Sequence, residues 1–305
     1  MLKKFNNRTL IIIFLALLAL VAVIQLVLNQ KGERNFREYL AKVDTTKVDK
    51  IEFIHFEKEP IILEKSGKSQ WQVKQGDKEA AADQSALKSL MKSLSNLKVK
   101  KRVAIKEEKW KEYEVNDSLG TKVAIYGDGE ELAELIVGRF SYKRVGQGFS
   151  MSTNARLPGE DEVYTVEGQL SMMTRRDFNG FRDHTLLSVQ PANVQEVRFN
   201  YPADSSFVLS RQNNKWMARN TPADSTQVDK FLKKLKNITA HNFAQKFDPG
   251  NQPVFKLNIA TKKGNNHLVE AYFDDDKYIF RTSQNTGAIF RESNQTFEKM
   301  FVPGL

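Results

Sequence analysis

The residues in this chain whose types and spacing could support chemistry are few, and each has a structural use close at hand. The four histidines, His55, His184, His241 and His267, are scattered and show no i, i+4 ligand spacing. There is no cysteine, which excludes a thiol nucleophile and a thiolate zinc site. Ser85-Ala-Leu-Lys88 and Ser89-Leu-Met-Lys92 both fit S-x-x-K, the pattern in which a lysine activates a serine in penicillin-binding enzymes. The partner motifs S-D-N and K-T-G are absent, and both pairs fall on the polar side of an amphipathic pattern. Asp274-Asp-Asp276 offers three carboxylates but lacks the glycine-containing spacing of a calcium loop, so a polar turn accounts for it. Gly146-Gln-Gly148 lacks the third glycine of a dinucleotide loop and reads as a hairpin turn. Neither a phosphate-binding G-x-x-x-x-G-K-S/T nor a G-x-S-x-G elbow occurs. No catalytic, metal or cofactor-binding residue is therefore assigned, and no cofactor is expected.

Trp71 and Trp216 are the candidate contacts for a partner or ligand. Exposed on a concave sheet they would stack on sugars or anchor a protein; beneath a helix they would be core. Their matching places in two similar segments favour the core.

Those segments lie about 145 residues apart. The first runs Val48-Asp-Lys-Ile51-Glu-Phe53, Ile61-Ile-Leu-Glu-Lys, Trp71-Gln-Val; the second runs Val194-Gln-Glu-Val197-Arg-Phe199, Phe207-Val-Leu-Ser-Arg, Trp216-Met-Ala. Each Trp is followed by an Ala-Asp pair, Ala82-Asp83 or Ala223-Asp224, and then by apolar residues at helical spacing. In the first these are Leu87, Leu90, Leu94 and Leu97; in the second Val228, Phe231, Leu232, Leu235 and Ile238. The aspartates are placed to cap these helices, since a carboxylate there accepts backbone N–H groups and faces the positive end of the dipole. Alternating stretches follow at 122–126, 132–137, 148–152 and 162–166, then at 255–260, 267–273, 278–282 and 288–291, with closing helices at 168–175 and 294–301. Asp128-Gly129 marks a two-residue hairpin. Each copy reads βββ-α-ββββ-α, so the fold class is α+β: two similar units, each an antiparallel sheet with a packed helix.

Ahead of both units, an apolar run from Leu10 to Leu28 is interrupted only by Gln25. Its roughly 19 residues suffice to span a hydrocarbon core, and no small-residue cleavage site follows it. Lys3, Lys4 and Arg8 precede it with no acid, which places the N-terminus in the cytoplasm and the rest outside; an inverted anchor is the alternative. The chain thus divides into a cytoplasmic N-terminus at 1–9, a transmembrane anchor at 10–28, a juxtamembrane linker at 29–45, and units at 46–190 and 191–305. The expected location is the bacterial inner membrane, single-pass, with a periplasmic or extracytoplasmic domain. Net charge is +10, of which residues 1–45 hold +4. The remainder is too diffuse for nucleic-acid binding. Lys98-Val-Lys-Lys-Arg-Val103, the densest basic stretch, reads as a solvated strand or loop face.

The order of anchor, strand pair, Trp, Ala-Asp-helix, Leu135-Ile-Val-Gly138, Glu162-Val-Tyr-Thr-Val166 and Phe181-Arg-Asp-His-Thr-Leu-Leu187 resembles the DUF4340 family of bacterial envelope proteins. Similar domains are linked to auxiliary components of ABC-type export systems of the gliding-motility kind. The resemblance implies a membrane-tethered accessory role and carries no catalytic residue. Asp183 within the last motif is expected to pair with Arg182 or cap the turn before Leu186. The function expected is a non-enzymatic interaction protein, binding an envelope protein or transporter subunit and held in the bilayer by residues 10–28. A cell-wall glycan-binding module is the alternative, and an envelope hydrolase a remote one.

Overall fold

The computed structural model describes Leu17 and residues 37–67, 70–219, 221–244, 247, 252–262, 264–274 and 276–304. The expected cytoplasmic N-terminus, the anchor at 10–28 (Leu17 apart) and the first part of the linker lie outside those residues. Among the described residues no helix is long and apolar enough to cross a membrane.

Two large antiparallel sheets with a few helices account for most of the described chain. The first is built from β1 (Lys50–Ile54), β2 (Ile61–Ser66), β3 (Gln70–Gln75), β4 (Lys78–Ala81), β5 (Val99–Ala104), β6 (Thr121–Gly127), β7 (Glu130–Val145), β8 (Gly148–Arg156) and β9 (Val163–Glu167). Helix α1 (Gln84–Leu94) separates β4 from β5, α2 (Trp110–Tyr113) precedes β6, and α3 (Leu170–Thr174) and α4 (Phe178–Phe181) follow β9. The second part contains β10 (Thr185–Leu187), β11 (Val194–Asn200), β12 (Phe207–Gln212), β13 (Lys215–Ala218), β14 (Thr221–Pro222), α5 (Ser225–Lys234), β15 (Ile238–Thr239), β16 (Phe255–Thr261), β17 (Asn266–Asp274), β18 (Lys277–Thr282), β19 (Phe290–Glu292) and α6 (Asn294–Met300).

The strand orders are β4-β3-β2-β1-β6-β7-β8-β9-β5 and β14-β13-β12-β11-β16-β17-β18-β19. Strand for strand these match through β9 and β19. A segment beside β19 stands where β5 stands beside β9: Arg291 N donates to Asn242 O and Ala244 N to Ile289 O. Registers agree too. Phe53 pairs with Val123 on the neighbouring strand, and Phe199 with Leu257. The short strands β4, β10, β14 and β15 were not expected, and β5 falls in the basic stretch read as a strand or loop face.

Alternation explains the strands. In β1, β2 and β3 the residues Ile51, Phe53, Ile61, Leu63, Trp71 and Val73 are buried while their neighbours are not, as a half-buried pleated surface requires. At the β6–β7 turn Asp128 and Gly129 take φ of 54° and 82°, the left-handed pair that a two-residue hairpin of matching twist demands. Each sheet has its own core. The first includes Leu40 and Val43, so the segment expected to be linker contributes apolar side chains to the fold. Leu40 N donates to Leu97 O and Val99 N to Glu38 O. In the second half β10 pairs with β15 in the same relation, and Leu186, Leu187 and Val189 belong to the second core.

Candidate functional site

The motif Phe181-Arg-Asp-His-Thr-Leu-Leu187 forms the joint between the two sheets. Phe181 is buried in the first core, its ring stacked on Phe53 with centroids 4.9 Å apart. Asp83 N donates to Phe181 O and Asp183 N to Ala81 O, which ties the segment to the strand just before α1. Two residues on, the chain is already in the second half: Ala240 N donates to His184 O, and Leu186 is fully buried in the second core. Asn285, a buried amide, donates from Nδ2 to Asp183 O at 2.8 Å. The Asp183 carboxylate accepts the Thr185 N–H at 2.8 Å, the turn-capping role the sequence suggested.

Arg182 stands at the centre of this joint. Its guanidinium lies 3.6 Å from the ring centroid of Phe243, in the second half, and donates to Asn179 Oδ1. It forms no ion pair with any described residue, and burial pulls its pKa below the ordinary guanidinium value. Beside it opens a cleft of about 660 Å³ whose walls come from both halves: Gln75, Asp77, Lys78 and Asp177 on one side, Phe243 and Ile289 on the other. His184 and His241 sit near it, ring centroids 5.0 Å apart, and the described residues contain no group of three metal-ligating side chains. A partly desolvated cation, polar groups of both signs and an apolar wall of Phe243 and Ile289 can hold a peptide-like segment. They do not supply a nucleophile with its base.

Most of the sequence-derived candidates are placed elsewhere. Trp71 and Trp216 are only 8% and 6% exposed, so of the two readings they take the core one that their matching places favoured, and not that of partner or ligand contacts. The reason is local: both sit on the inward face of their strands, beneath α1 and α5. Ala82 N donates to Trp71 O and Ala223 N to Trp216 O in the same way. Asp83 and Asp224 cap α1 and α5 with nearly identical backbone angles, each accepting two N–H groups. They mark separate corners and do not converge.

Ser85 and Ser89 are exposed on α1, and their hydroxyls donate to Asp83 and to the Ser85 carbonyl, not to a lysine. Asp274 pairs with Arg291 at 3.0 Å, Asp276 has φ 61° in the turn after β17, and Asp275 lies outside the described residues. His55 and His267 are far from the joint in sequence and lose basicity through burial. The basic stretch 98–103 is mostly β5, an edge strand studded with exposed lysines, which discourages further strand pairing.

One feature escaped sequence reading. β7 continues eight residues past Val137, and with the start of β8 forms an arm beyond the sheet. The pairing slips between Val137 and Phe140, and Gly138 at that bulge is obligatory: a Cβ there would meet Tyr113 O and lie 2.6 Å from Val115 Cγ1. The alternation of Phe140, Tyr142 and Arg144 with Arg139, Ser141 and Lys143 was the available signal, obscured because both faces of the arm are exposed.

A family model described as "Domain of unknown function (DUF4340)" matches residues 71–258, more than half of the chain. That span begins at the first buried Trp, crosses the joint, and ends within β16. No curated protein and no solved structure matches the chain.

Proposed function

We propose, from the premise that this chain belongs to the DUF4340 family, that it is a membrane-anchored extracytoplasmic protein that works by binding, not catalysis. It would act as an accessory to an envelope complex of the ABC-type transport or gliding kind. The joint is the observation that carries the binding reading. Phe181, Arg182, Asp183 and His184 fasten two separately cored sheets to one another within four residues. Surfaces held in fixed relation bind with little ordering cost, and the joint cleft beside the Arg182 guanidinium is one such surface. The anchor rests on the apolar run at 10–28 and its flanking charges.

Chemical crosslinking of the chain in its native membrane, followed by mass spectrometry, tests the binding reading. An envelope or transporter subunit linked to the described domain is the expected result, and repeated recovery of no such partner would sink it. A phosphatase-type reporter fused after Val302 should be active outside the cytoplasm; a silent reporter would reverse the orientation. Sedimentation of the domain with purified peptidoglycan would instead favour glycan binding, a reading from which the burial of Trp71 and Trp216 removes the original support.

A further inference from the structure

The arm formed by residues 139–152 has no counterpart among the described residues of the second half. There the equivalent hairpin, β17 with β18, turns after Asp274, its strands nine and six residues long against sixteen and nine for β7 and β8. A sheet of the same strand order forms without an arm, so the projecting residues 139–150 are not required by that order. Cross-strand pairing puts Tyr142 opposite Met151 and Arg144 opposite Phe149, so that Phe140, Tyr142, Phe149 and Met151 share one face. Tyr142 is 69% exposed, Phe149 65% and Met151 44%, with Val145 at the tip 60%. The rings of Phe140, Tyr142 and Phe149 touch in series at 6.5 and 6.3 Å, covering one another and nothing else of the core. A cluster of aromatic and thioether side chains held in water on a projecting hairpin is the composition of a docking surface.

Charge narrows the occupant. From Gly138 to Ser152 the chain carries Arg139, Lys143 and Arg144 and no acid. Lys100 on the neighbouring edge strand adds a fourth cation, its Nζ 2.6 Å from Ser150 Oγ. A second copy docking arm to arm would set like charges against each other, which is unfavourable. An anionic lipid surface satisfies the charge but not the geometry. Arg37, the first residue of the continuously described domain, is at the opposite end of the sheet, where it pairs with Glu160 in the loop after β8. The nine residues of β8 separate that loop from the arm's turn by about 30 Å. The arm's turn thus lies at the far end of β8 from Arg37 and its partner.

We infer that the arm is the docking site for a partner protein whose surface offers an apolar groove rimmed by carboxylates. The inference rests on the binding reading above and names the chemistry of one partner. It is tested on the full-length chain in native membranes, with a photoreactive residue at position 142 or 149 and a reference at 277 on the second hairpin. Positions 142 and 149 should link to one protein, through a peptide containing Asp or Glu, and 277 should not. Lys143→Glu with Arg144→Glu should reduce the adduct by about tenfold or more. The melting temperature should not change, because neither side chain touches a core.

Adducts to phospholipid, adducts to a second copy of this chain, or equal yields from 142 and 277 would overturn the inference. So would an adduct indifferent to the charge reversal. Should a photoreactive residue at Asn179 in the joint cleft capture an envelope protein while the arm captures none, the arm proposal falls and the binding reading stands. Absence of protein adducts from every position would remove both.

Discussion

Asp83 and Asp224 are the residues whose chemistry the molecule uses most plainly, and they use it to start helices. Desolvation pushes the Asp83 carboxyl up, but the Ser85 hydroxyl and the N–H groups of Ala86 and Ser85 outweigh it and hold the pKa below the usual carboxylate value. At Asp224 the N–H groups of Thr226 and Gln227 do the same. A depressed folded-state pKa gives stability that is complete above the unfolded value, near 3.9, and is lost as pH falls through the folded value. Asparagine caps as well but does not titrate. The denaturant midpoint of the double variant Asp83→Asn, Asp224→Asn should therefore fall less between pH 7 and pH 3 than that of the parent chain; equal losses would contradict the assignment. Asp83→Ala, which removes the cap altogether, should cost about 1 kcal/mol at pH 7. Tyr201 makes a second residue-scale prediction. Burial raises its phenol well above the ordinary value, and the hydroxyl donates to Val302 O at 2.7 Å. Tyr201→Phe should cost about 1 kcal/mol and speed amide exchange at Phe301, while leaving the amides of β1 protected.

At the scale of elements, α1 and α5 show how much of the architecture rests on an apolar stripe. Leu87, Leu90 and Leu94 on one, and Val228, Phe231 and Leu232 on the other, are buried against their sheets; Leu235, just past α5, is fully buried as well. Leu94→Ala or Leu235→Ala should destabilise by roughly 2–5 kcal/mol, because each leaves a cavity in a close-packed core. Lys92→Ala and Lys234→Ala, on the exposed faces, should cost about 0.5 kcal/mol or less. Urea unfolding of the four variants checks the contrast; comparable losses for lysine and leucine would mean that the helices are packed the other way round.

The whole molecule depends on whether two separately cored sheets behave as one body. Arg182 over Phe243, Asn285 on Asp183 and Ala240 on His184 are the contacts that join them. Arg182→Ala removes a cation–π contact worth about 1 kcal/mol in a partly desolvated setting and leaves both cores untouched. Scanning calorimetry of this variant should show the transition of the parent broadening or splitting in two, as the halves lose their coupling. A single transition at the parent's midpoint would show that the joint contributes nothing to cohesion.

The sequence by itself determined those features that depend on spacing along one element. Periods of two and near 3.6 located the long strands and both long helices but not β4, β5, β10, β14 or β15; the Asp-Gly pair announced its hairpin, and Ala-Asp announced both caps. The order of short apolar motifs pointed to the family that the chain belongs to. Each of these is written within a few residues because the backbone geometry that demands it is local. Tertiary structure decided what depended on contacts across long separations. It put Trp71 and Trp216 beneath their helices, since burial is set by what packs above a strand and not by the strand's own pattern. It made Phe181–Leu187 a joint, because the pairing of β10 with β15 sets the segment carrying Phe243 beside Arg182. It also carried β7 beyond the sheet into an arm. Alternation gives the same signal whether a face meets a core or water, and only the end of the β6 pairing at Val137, with β8 alone beside β7 beyond it, tells the two apart.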